Sequence, residues 1–541
     1  MEGTRGHSAA DLGGLSLPSG FYVQFADRLD LTQNARLHAL HRALRQDLPP
    51  GVTDLCPGYV NLYVEFDAAQ VAPDEVRAWV GRHLRGLDDG PAWTGRALEL
   101  PVRYDGMDLA DVAARTGLDE AEVVRRHSGR EYHVYAVGFT PGFPFMGEVH
   151  ESLQLPRRAT PRPAVPFNAV AIAAAQTCVY PLPSPGGWNL IGTLLSTVYD
   201  PHRPEPFTLA PGDRVRFVPA DGPAPELPAI RELWPRSPQF PALRVERAGL
   251  LDLLMDAGRM RQGHHGLARS GFLDEWAAGR ANRLVGNAPG TPLLELTLRG
   301  PRLTALRDVR VAVSGFGLAP LGWRLDQPFG LRAGETLEFR STSSGARAYL
   351  ALAGGLETSP FLGSSSVDLL GRVGRALQAG DVLGLEVPGR AAEPVPAATP
   401  TEDEPCTMPG AVRLRLLPGP QATLDALQAL GRAPFRITGL DRMGLRLSGP
   451  PVPGGQVISE ATPLGAVQVT PAGDPIVLLA DRGRLGGYSK PAVIHPLDLP
   501  LAAQLRPGQS VHLIPDLSGP PDVWAWRWHQ PLGRRTPGGL P

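Results

Sequence analysis

The chain has 541 residues, of which 43% are hydrophobic and 20% charged, and its formal net charge is −1. This length is enough for three or four domains, and the near-neutral charge gives no reason to expect a nucleic acid or an anionic membrane as partner. The cysteines Cys56, Cys178 and Cys406 lie far apart without a C-x-x-C pair, which argues against a disulfide framework or a zinc site. No apolar run is long enough to span a membrane and no signal-peptide pattern is visible, so we expect a globular, cytoplasmic protein.

The N-terminal part of the chain mixes strand and helix patterns. The predicted elements are strands at 21–27, 60–66 and 98–104 and helices at 32–47, 73–86, 108–116 and 118–126. Asp74 is the predicted N-cap of the second helix. We expect a small α/β domain over 1–97.

Beyond residue 131 short strands bounded by Gly and Pro dominate, and one pattern recurs. A tight turn followed by an alternating strand is found at 211–217, 333–339, 379–385 and 507–513. Such repetition predicts barrel-like units in series. The expected fold class is mainly β, with several β-barrel domains in tandem after the small α/β domain.

Proline-rich, weakly patterned stretches predict the domain boundaries. The expected units are a barrel over 98–220, a linker over 221–242, a first barrel-like domain of the second half over 243–390, a linker over 391–410 and a second barrel-like domain over 411–541. Trp524, Trp526 and Trp528 alternate near the end, and we interpret them as a docking tail.

Two loops of the first half combine proline, glycine and large aromatics within a few residues. They are Gly138–Gly147, which includes Phe139, Pro141, Gly142 and Phe143, and Ser184–Gly192, which includes Gly186, Gly187 and Trp188. Because polar surface loops seldom carry such aromatics, the loops predict a pocket rim. A hydrophobic corner beneath a barrel is an equally open interpretation.

Lys490 is the single lysine of a chain whose lysines and arginines total 53. The scarcity of lysine indicates a compositional bias towards arginine. A lysine that persists against this bias is a candidate for a role that needs an ammonium group.

The motifs of the first half resemble the B subunit of 5-oxoprolinase, the KipI-like or allophanate hydrolase subunit 1 family, from about 20 to 220. The motifs that carry the resemblance are Tyr132–Gly147, Pro156–Arg162, Gln176–Thr177, Tyr180–Pro181, Ser184–Gly192 and Pro211–Asp213.

The second half resembles the partner family, the C subunit of 5-oxoprolinase, which is KipA-like, allophanate hydrolase subunit 2 and biotin-dependent carboxyltransferase-like. Its motifs are Ala248–Leu250, Asp256–Arg259, Ser270–Asp274, Ala281–Asn287, Leu293–Leu298, Leu362–Ser364, Asp441–Arg446 and Gly486–Lys490. The chain is thus similar to a B–C fusion.

The resemblance implies cyclophilin-like β-barrels, one after the small N-terminal domain and two in the second half. It also implies an ATP-dependent opening of 5-oxoproline to glutamate, with ATP and magnesium bound, a small-molecule substrate, and a separate partner, the 5-oxoprolinase A subunit. A homo-oligomer is possible. No biotin-attachment Met-Lys pair and no P-loop are present.

Such chemistry needs cations for phosphate or carboxylate and a base or positioned water. Arg157, Arg158 and Arg162 are the candidate cations, with a solvated loop as the alternative. The catalytic candidates are Lys490, Asp274, Glu295 and His127, and the further binding candidates are Gln176, Asn282, Asn287 and Tyr488. Helix capping is an equal alternative for the Asp and Asn residues, and a structural role is one for His127.

Some residues depart from the family pattern. Asn168 and Cys178 stand where glycine is usual, Thr193 replaces an arginine, Met255 a glutamine and Leu485 a threonine. No lysine precedes Gly363–Ser366, which argues against an amidase Ser-Ser-Lys triad and true allophanate hydrolysis.

Two other functions remain open. One is a KipI/KipA-like regulatory protein that acts on a sensor histidine kinase, and the other is a carboxyltransferase-like module for a urea-like substrate. Fusion favours the enzyme, because an inhibitor tied to its own antagonist makes poor regulatory sense, whereas fused subunits keep a high effective concentration.

Overall fold

The computed structural model describes residues 18–87, 95–388, 408, 411–517 and 527–529. The first unit is a small α/β layer whose sheet runs in the order β2–β3–β1. Its elements are β1 Pro18–Gln24, α1 Leu31–Gln46, β2 Val52–Pro57, β3 Asn61–Asp67 and α2 Pro73–Arg85. Apolar residues of the sheet pack against both helices in one core that includes Phe21, Leu37 and Trp79.

The helix starts of this unit differ from one another. The Asp30 side chain caps α1 by accepting from the Gln33 N–H at 3.0 Å. In α2 the N-cap residue is Ala72 and Pro73 occupies the first turn, so the prediction of Asp74 as N-cap is wrong. Asp74 lies in the first turn instead, where a carboxylate favours the positive end of the helix dipole.

The second unit is a closed barrel of seven strands, in the order β4–β11–β8–β9–β6–β5–β12. Its elements are β4 Ala97–Arg103, α3 Leu109–Thr116, α4 Glu120–Ser128, β5 Glu131–Val137, β6 Pro144–Gly147, β7 Arg162–Val165, β8 Ala169–Ala173, β9 Gln176–Val179, β10 Ser184–Gly186, β11 Asn189–Leu194 and β12 Arg214–Pro219. Strands β7 and β10 pair with each other outside the barrel.

The middle unit contains two open sheets on a shared core. Their strand orders are β20–β16–β13–β23 and β14–β15–β22–β17–β19. The elements are β13 Pro241–Arg247, β14 Leu251–Met255, α5 Glu275–Leu284, β15 Leu293–Thr297, β16 Arg302–Ala305, β17 Val309–Gly315, β18 Leu318–Pro320, β19 Pro328–Leu331, β20 Thr336–Leu337, β21 Phe339–Ser341, β22 Arg347–Leu352 and β23 Val382–Gly384. Within the described part of 243–390 the sheets do not close, so the barrel predicted there is corrected to a two-sheet packing.

The last unit is a second closed seven-stranded barrel, in the order β24–β31–β28–β29–β26–β25–β32. Its elements are β24 Val412–Pro418, α6 Leu424–Gly431, β25 Phe435–Leu440, β26 Gly444–Ser448, β27 Gln456–Ala461, β28 Ala466–Val469, β29 Pro475–Leu478, β30 Leu485–Tyr488, β31 Ala492–Ile494, α7 Leu499–Gln504 and β32 Ser510–Pro515. The mainly β fold with barrels in tandem is thereby confirmed.

The two barrels share one topology. Each closes through a parallel pair of its first and last strands, β4 with β12 and β24 with β32. Each also carries an outer two-stranded ribbon, β7–β10 in the first and β27–β30 in the second. The loop of Gly186–Trp188 thus has its counterpart in Gly486–Tyr488.

The end of the chain returns to its beginning. A short strand, β33 Arg527–His529, pairs in parallel with β1. This places the segment with Trp528 at the edge of the first sheet, whereas Trp524 and Trp526 lie outside the described residues. Among the helices of the described ranges, none is long and apolar enough to cross a membrane.

Buried ion pairs join the first unit to the second barrel. The Arg484 guanidinium lies 2.8 Å from Asp54 and 3.3 Å from Glu65, and Arg482 lies 3.4 Å from Glu65. Each of these side chains is at most 7% exposed. Burial opposes ionisation of Glu65, but Arg484 and Arg482 outweigh it and hold its pKa below the usual value.

A group of buried histidines lies at the same junction. The rings of His41 and His264 are 5.2 Å apart, those of His264 and His265 are 3.8 Å apart, and His265 stacks on Phe207. Burial lowers the pKa of His265 to about 3 and those of His41 and His264 well below 6.5, and the nearby Arg45 cation acts in the same direction. These histidines are therefore neutral in the folded protein.

Replacing Arg484 with Met should lower the free energy of unfolding by about 3–5 kcal/mol, because Asp54 and Glu65 would keep buried charge with too few partners. The matched control is Arg214→Met, whose pair with Glu131 is roughly half exposed and should contribute about 1 kcal/mol or less. Urea unfolding of both variants measures the difference. Equal stability of the two variants would contradict the account of this junction.

Stability should fall as pH drops below about 6.5. The unfolded chain takes up protons there, whereas burial keeps the pKa of His41 and His264 well below 6.5 and that of His265 at about 3 in the folded chain. Each histidine then costs up to about 1.4 kcal/mol per pH unit. Unfolding midpoints at pH 7.5 and 5.5 measure this loss, which should be smaller in His264→Leu and unchanged in His202→Gln on the exposed surface. A pH-independent midpoint would refute it.

Candidate functional site

The two aromatic loops meet at one end of the first barrel and form a packed wall. The Phe143 ring lies 4.8 Å from Phe145, 5.1 Å from Tyr180 and 6.2 Å from Trp188. Phe143, Phe145 and Trp188 are each at most 8% exposed, whereas Phe139 is exposed. The loops thus form a hydrophobic corner, as one interpretation of the sequence expected, and they carry an exposed aromatic, Phe139, at its edge.

The backbone of the first loop is shaped by its contact with the second half of the chain. Gly142 adopts φ +75° and its N–H donates to the His265 carbonyl at 2.8 Å, next to the buried Pro141. A Cβ on Gly138 would lie 2.4 Å from the Leu485 side chain, so only glycine allows this approach. Phe139 adopts φ +67°, a conformation that costs energy for a large residue.

The three candidate arginines differ in their partners. Arg158 and Arg162 both donate to Asp108 Oδ1, at 2.9 and 2.6 Å, and Asp108 is buried beneath them. Arg157 instead places its guanidinium 5.8 Å above the Trp188 ring. Asp108 was missed by the sequence analysis, and no motif could have identified it.

Gln176 lies beside this wall, half-buried at the start of β9. Its Nε2 donates to the Tyr59 hydroxyl at 3.0 Å, and Tyr59 comes from the connection between β2 and β3. Gly186 and Gly187 are also half-buried here. A Cβ on Gly186 would lie 2.4 Å from the Tyr180 hydroxyl. The first unit and the first barrel therefore build this site together, and we call it the barrel mouth: Tyr59, Arg157, Gln176, Cys178, Tyr180 and Trp188.

His127 lies apart from the barrel mouth, in the barrel core. Its Nδ1 is 2.8 Å from the Tyr104 hydroxyl, its Nε2 is 2.9 Å from Thr177 Oγ1, and its ring stacks on Phe217 at 4.8 Å. Burial lowers its pKa to about 3. This environment is that of a neutral packing residue, which corresponds to the structural alternative for His127.

Lys490 is fully buried between the second barrel and the first unit. Its Nζ lies 3.1 Å from Glu460 Oε1 and donates to the Tyr488 carbonyl at 3.1 Å. Glu460 also accepts from Gln421 at 2.6 Å and from Asn61 at 3.1 Å. The ammonium is thus held in a polar chain that crosses from one unit to the other, and Glu460 carried no signal in the sequence.

Glu295 and Asp274 come together where the middle sheets meet the second barrel. Glu295 contacts Arg442 and Arg347 and accepts from the Tyr349 hydroxyl at 2.8 Å. Burial opposes ionisation of Glu295, yet the two guanidiniums hold its pKa below the usual value. Burial raises the pKa of Asp274 to about 6. Arg442 also pairs with Asp481 at 2.9 Å, so this is a closed charge network.

Helix α5 and the segments around it are held by hydrogen bonds from three candidate residues, Asp274, Asn282 and Asn287. Asp274 caps α5 through the Ala277 N–H at 3.0 Å. Asn282 donates to the Thr291 carbonyl at 2.8 Å, and Asn287 donates to the Leu352 carbonyl at 2.7 Å. The capping alternative of the sequence analysis therefore holds for Asp274, whereas Asn282 and Asn287 tie α5 and its end to neighbouring segments.

No cluster of three or more His, Cys, Asp or Glu side chains within the described ranges is placed to hold a metal ion. Two of the three arginines assigned to phosphate or carboxylate, Arg158 and Arg162, share the single negative charge of Asp108. ATP and its magnesium remain predictions from the resemblance.

Comparisons with known proteins agree on both halves. The family model for carboxyltransferase domain subdomains C and D matches residues 17–209, and that for subdomains A and B matches residues 265–515. A solved crystal structure, that of TTHA0988, is 52% identical, with a TM-score of 0.85 over 92% of this chain and 100% of that one.

Curated relatives match one half each. The 5-oxoprolinase B subunit of Escherichia coli O157:H7 is 45% identical over 31% of this chain and 79% of the relative. The 5-oxoprolinase C subunit of Escherichia coli K12 is 33% identical over 50% of this chain and 90% of the relative. Urea amidolyase of Lachancea kluyveri is 29% identical over 51% of this chain and 17% of the relative. The chain belongs to the carboxyltransferase-domain family that includes the B and C subunits of 5-oxoprolinase, and it carries a B-like and a C-like half in one polypeptide.

Proposed function

We propose that this chain is the fused B and C component of an ATP-dependent 5-oxoprolinase, which opens 5-oxo-L-proline to L-glutamate together with a separate A subunit. The observation that carries the proposal is that both halves match subunits of the same named enzyme. Their junction supports it, because Arg482 and Arg484 of the C-like half are buried against Asp54 and Glu65 of the B-like half. Two halves joined in this way act as one component.

The chemistry explains the need for ATP. Amide resonance deactivates the lactam carbonyl, so water attacks it poorly. Transfer of the γ-phosphoryl group to the carbonyl oxygen releases ADP and activates the carbon. One water then opens the C–N bond to give an acyl phosphate, and a second water releases inorganic phosphate. The protein has to hold the lactam, exclude competing water and stabilise the anionic oxygens.

The buried junction argues against the regulatory alternative. An inhibitor and its antagonist must separate to act in turn, whereas separation here would leave the charges of Glu65, Arg482 and Arg484 desolvated or unpaired. A carboxyltransferase-like reaction on a urea-like substrate is a second candidate, favoured by the match to urea amidolyase over 316 residues.

Co-expression with a candidate A subunit tests the proposal. We expect release of glutamate and inorganic phosphate that depends on ATP, 5-oxoproline and both proteins. A separate reaction with urea and carboxybiotin as the carboxyl donor, read out as carboxylated urea and free biotin, tests the second candidate. If glutamate release does not exceed that of the partner protein alone, the proposal fails.

Lys490 can be tested separately for catalysis and for structure. Lys490→Arg should lose most glutamate release. The double variant Lys490→Met with Glu460→Gln removes both charges of the pair and keeps an acceptor for one of the two amides, Gln421 or Asn61, that donate to Glu460. If Lys490 is catalytic, the double variant folds with a near wild-type melting temperature and remains inactive. Recovery of activity in the double variant would assign Lys490 to the junction alone.

A further inference from the structure

A buried arginine of the middle unit lacks a carboxylate partner. Arg259 is 1% exposed, and its Nε and Nη2 donate to the backbone carbonyls of Phe361 and Ser366 at 3.0 and 2.9 Å. Its Nη1 is buried with no hydrogen-bond partner among the described residues, and none of their carboxylates lies close enough for an ion pair. A buried guanidinium without a counter-charge is unfavourable unless an external group completes it.

A second arginine without a carboxylate partner in the described part of the chain lies beside it. The guanidinium carbons of Arg231 and Arg259 are 5.1 and 5.6 Å from the centroid of the same ring, that of Phe361. The Arg231 Nη1 donates at 2.9 Å to the carbonyl of Pro201, which belongs to the B-like half, and its Nε is buried without a described partner. Two like charges at one ring repel each other, and an oxyanion between them would relieve this repulsion. Arg231 is only half-buried, so its side of the site reaches the surface.

The neighbouring carboxylates leave this charge uncompensated. Of the acids near Arg259, Asp256 accepts four hydrogen bonds from backbone and serine groups, and Asp481 is paired with Arg442 at 2.9 Å. The third, Asp368, is 2% exposed; its Oδ1 accepts a backbone N–H at 2.8 Å, and its Oδ2 is buried without a partner among the described residues. Burial raises the pKa of Asp368 to about 6. Near neutral pH this residue therefore offers one unused acceptor oxygen.

Three unpartnered atoms, two donors and one acceptor, occur in one neighbourhood of the described structure. The donors are Arg231 Nε and Arg259 Nη1, and the acceptor is Asp368 Oδ2. Asp368 is the acid that acts most strongly on Arg259, and it forms a β-bridge to Val373, which forms another to Arg231. A fully deprotonated oxyanion would accept from both arginines but would face the Asp368 oxygen with like charge. An oxyanion that keeps one O–H group satisfies all three atoms, because it accepts twice and donates once.

We propose that the seam between Arg231, Arg259 and Asp368 binds hydrogen phosphate, free or as the terminal group of a nucleotide, with its oxygens on the two guanidiniums and its O–H on Asp368. The site goes beyond the proposed function, which releases inorganic phosphate without assigning it a place. It also supplies cations for phosphate that Arg158 and Arg162, which share Asp108, provide only in part. The assignment does not depend on which substrate the chain acts on.

Calorimetry on the full chain tests the site with three probes: inorganic phosphate, sulfate and ATP. Sulfate has the shape of phosphate but carries no proton near neutral pH, so wild-type protein should bind phosphate about tenfold or more tightly. Arg231→Leu should weaken phosphate binding about tenfold or more. Asp368→Asn replaces the acceptor with an N–H donor and should remove or reverse the preference over sulfate. Arg302→Gln, whose side chain on β16 is half exposed and pairs with Glu338, is the matched control and should bind phosphate as wild type does.

The outcomes separate the site from the function. The assignment is overturned if phosphate does not bind, if sulfate binds wild-type protein equally well, or if Arg302→Gln weakens binding as much as Arg231→Leu. ATP that competes with phosphate supports the site with a nucleotide as its source, and ATP that does not compete supports it for free phosphate. Wild-type selectivity and Arg231→Leu decide the assignment even if Asp368→Asn fails to fold. Phosphate binding without glutamate release leaves the site standing and refutes the proposed function, whereas glutamate release by a chain that binds no phosphate does the reverse.

Discussion

Buried charge between Asp481 and Lys490 is the constraint on which the assembly of the chain depends. Within this segment Arg482 and Arg484 pair with Glu65 of the first unit, while Asp481 meets a guanidinium that also reaches the middle sheets. Lys490 completes the series through its own carboxylate partner. Burying these charges is favourable only when every partner is present. One segment therefore fixes the first unit, the middle sheets and the second barrel at once.

The two barrels share one topology, but the corresponding end of each has a different environment. In the first, the Gly186–Trp188 loop leads to a mouth where Arg157 remains exposed. In the second, the corresponding segment Gly486–Tyr488 of β30 leads to the buried Lys490, whose partner Glu460 accepts a hydrogen bond from Asn61 of the first unit. The covered mouth contributes to assembly, whereas the open one is accessible to a ligand. One architecture thus supports both an exposed barrel end and a buried junction.

Local features were predictable from sequence, and long-range pairings were not. The 3.6-residue spacing predicted α1, and the turn-and-strand repeat predicted β12 and β32. The same repeat led to the wrong prediction of a barrel over 243–390, because a glycine turn before a strand is the same in an open sheet and in a barrel. Asp74 was misassigned because the helix begins at Pro73, which puts the N-cap two positions earlier, at Ala72. The pairing of Arg484 with Asp54 spans most of the chain and leaves no local pattern.

Three departures from the family pattern, at Asn168, Leu485 and Thr193, have a local structural account. Asn168 adopts φ +61°, which asparagine tolerates better than other non-glycine residues, so it can replace a glycine there. Leu485 fills the space that Gly138 leaves open, and Thr193 donates to Asp105 at 2.8 Å on the exposed side of the barrel. These three changes leave Arg157 and Gln176 of the barrel mouth in place, whereas Cys178, a fourth departure, is one of the buried residues of that mouth.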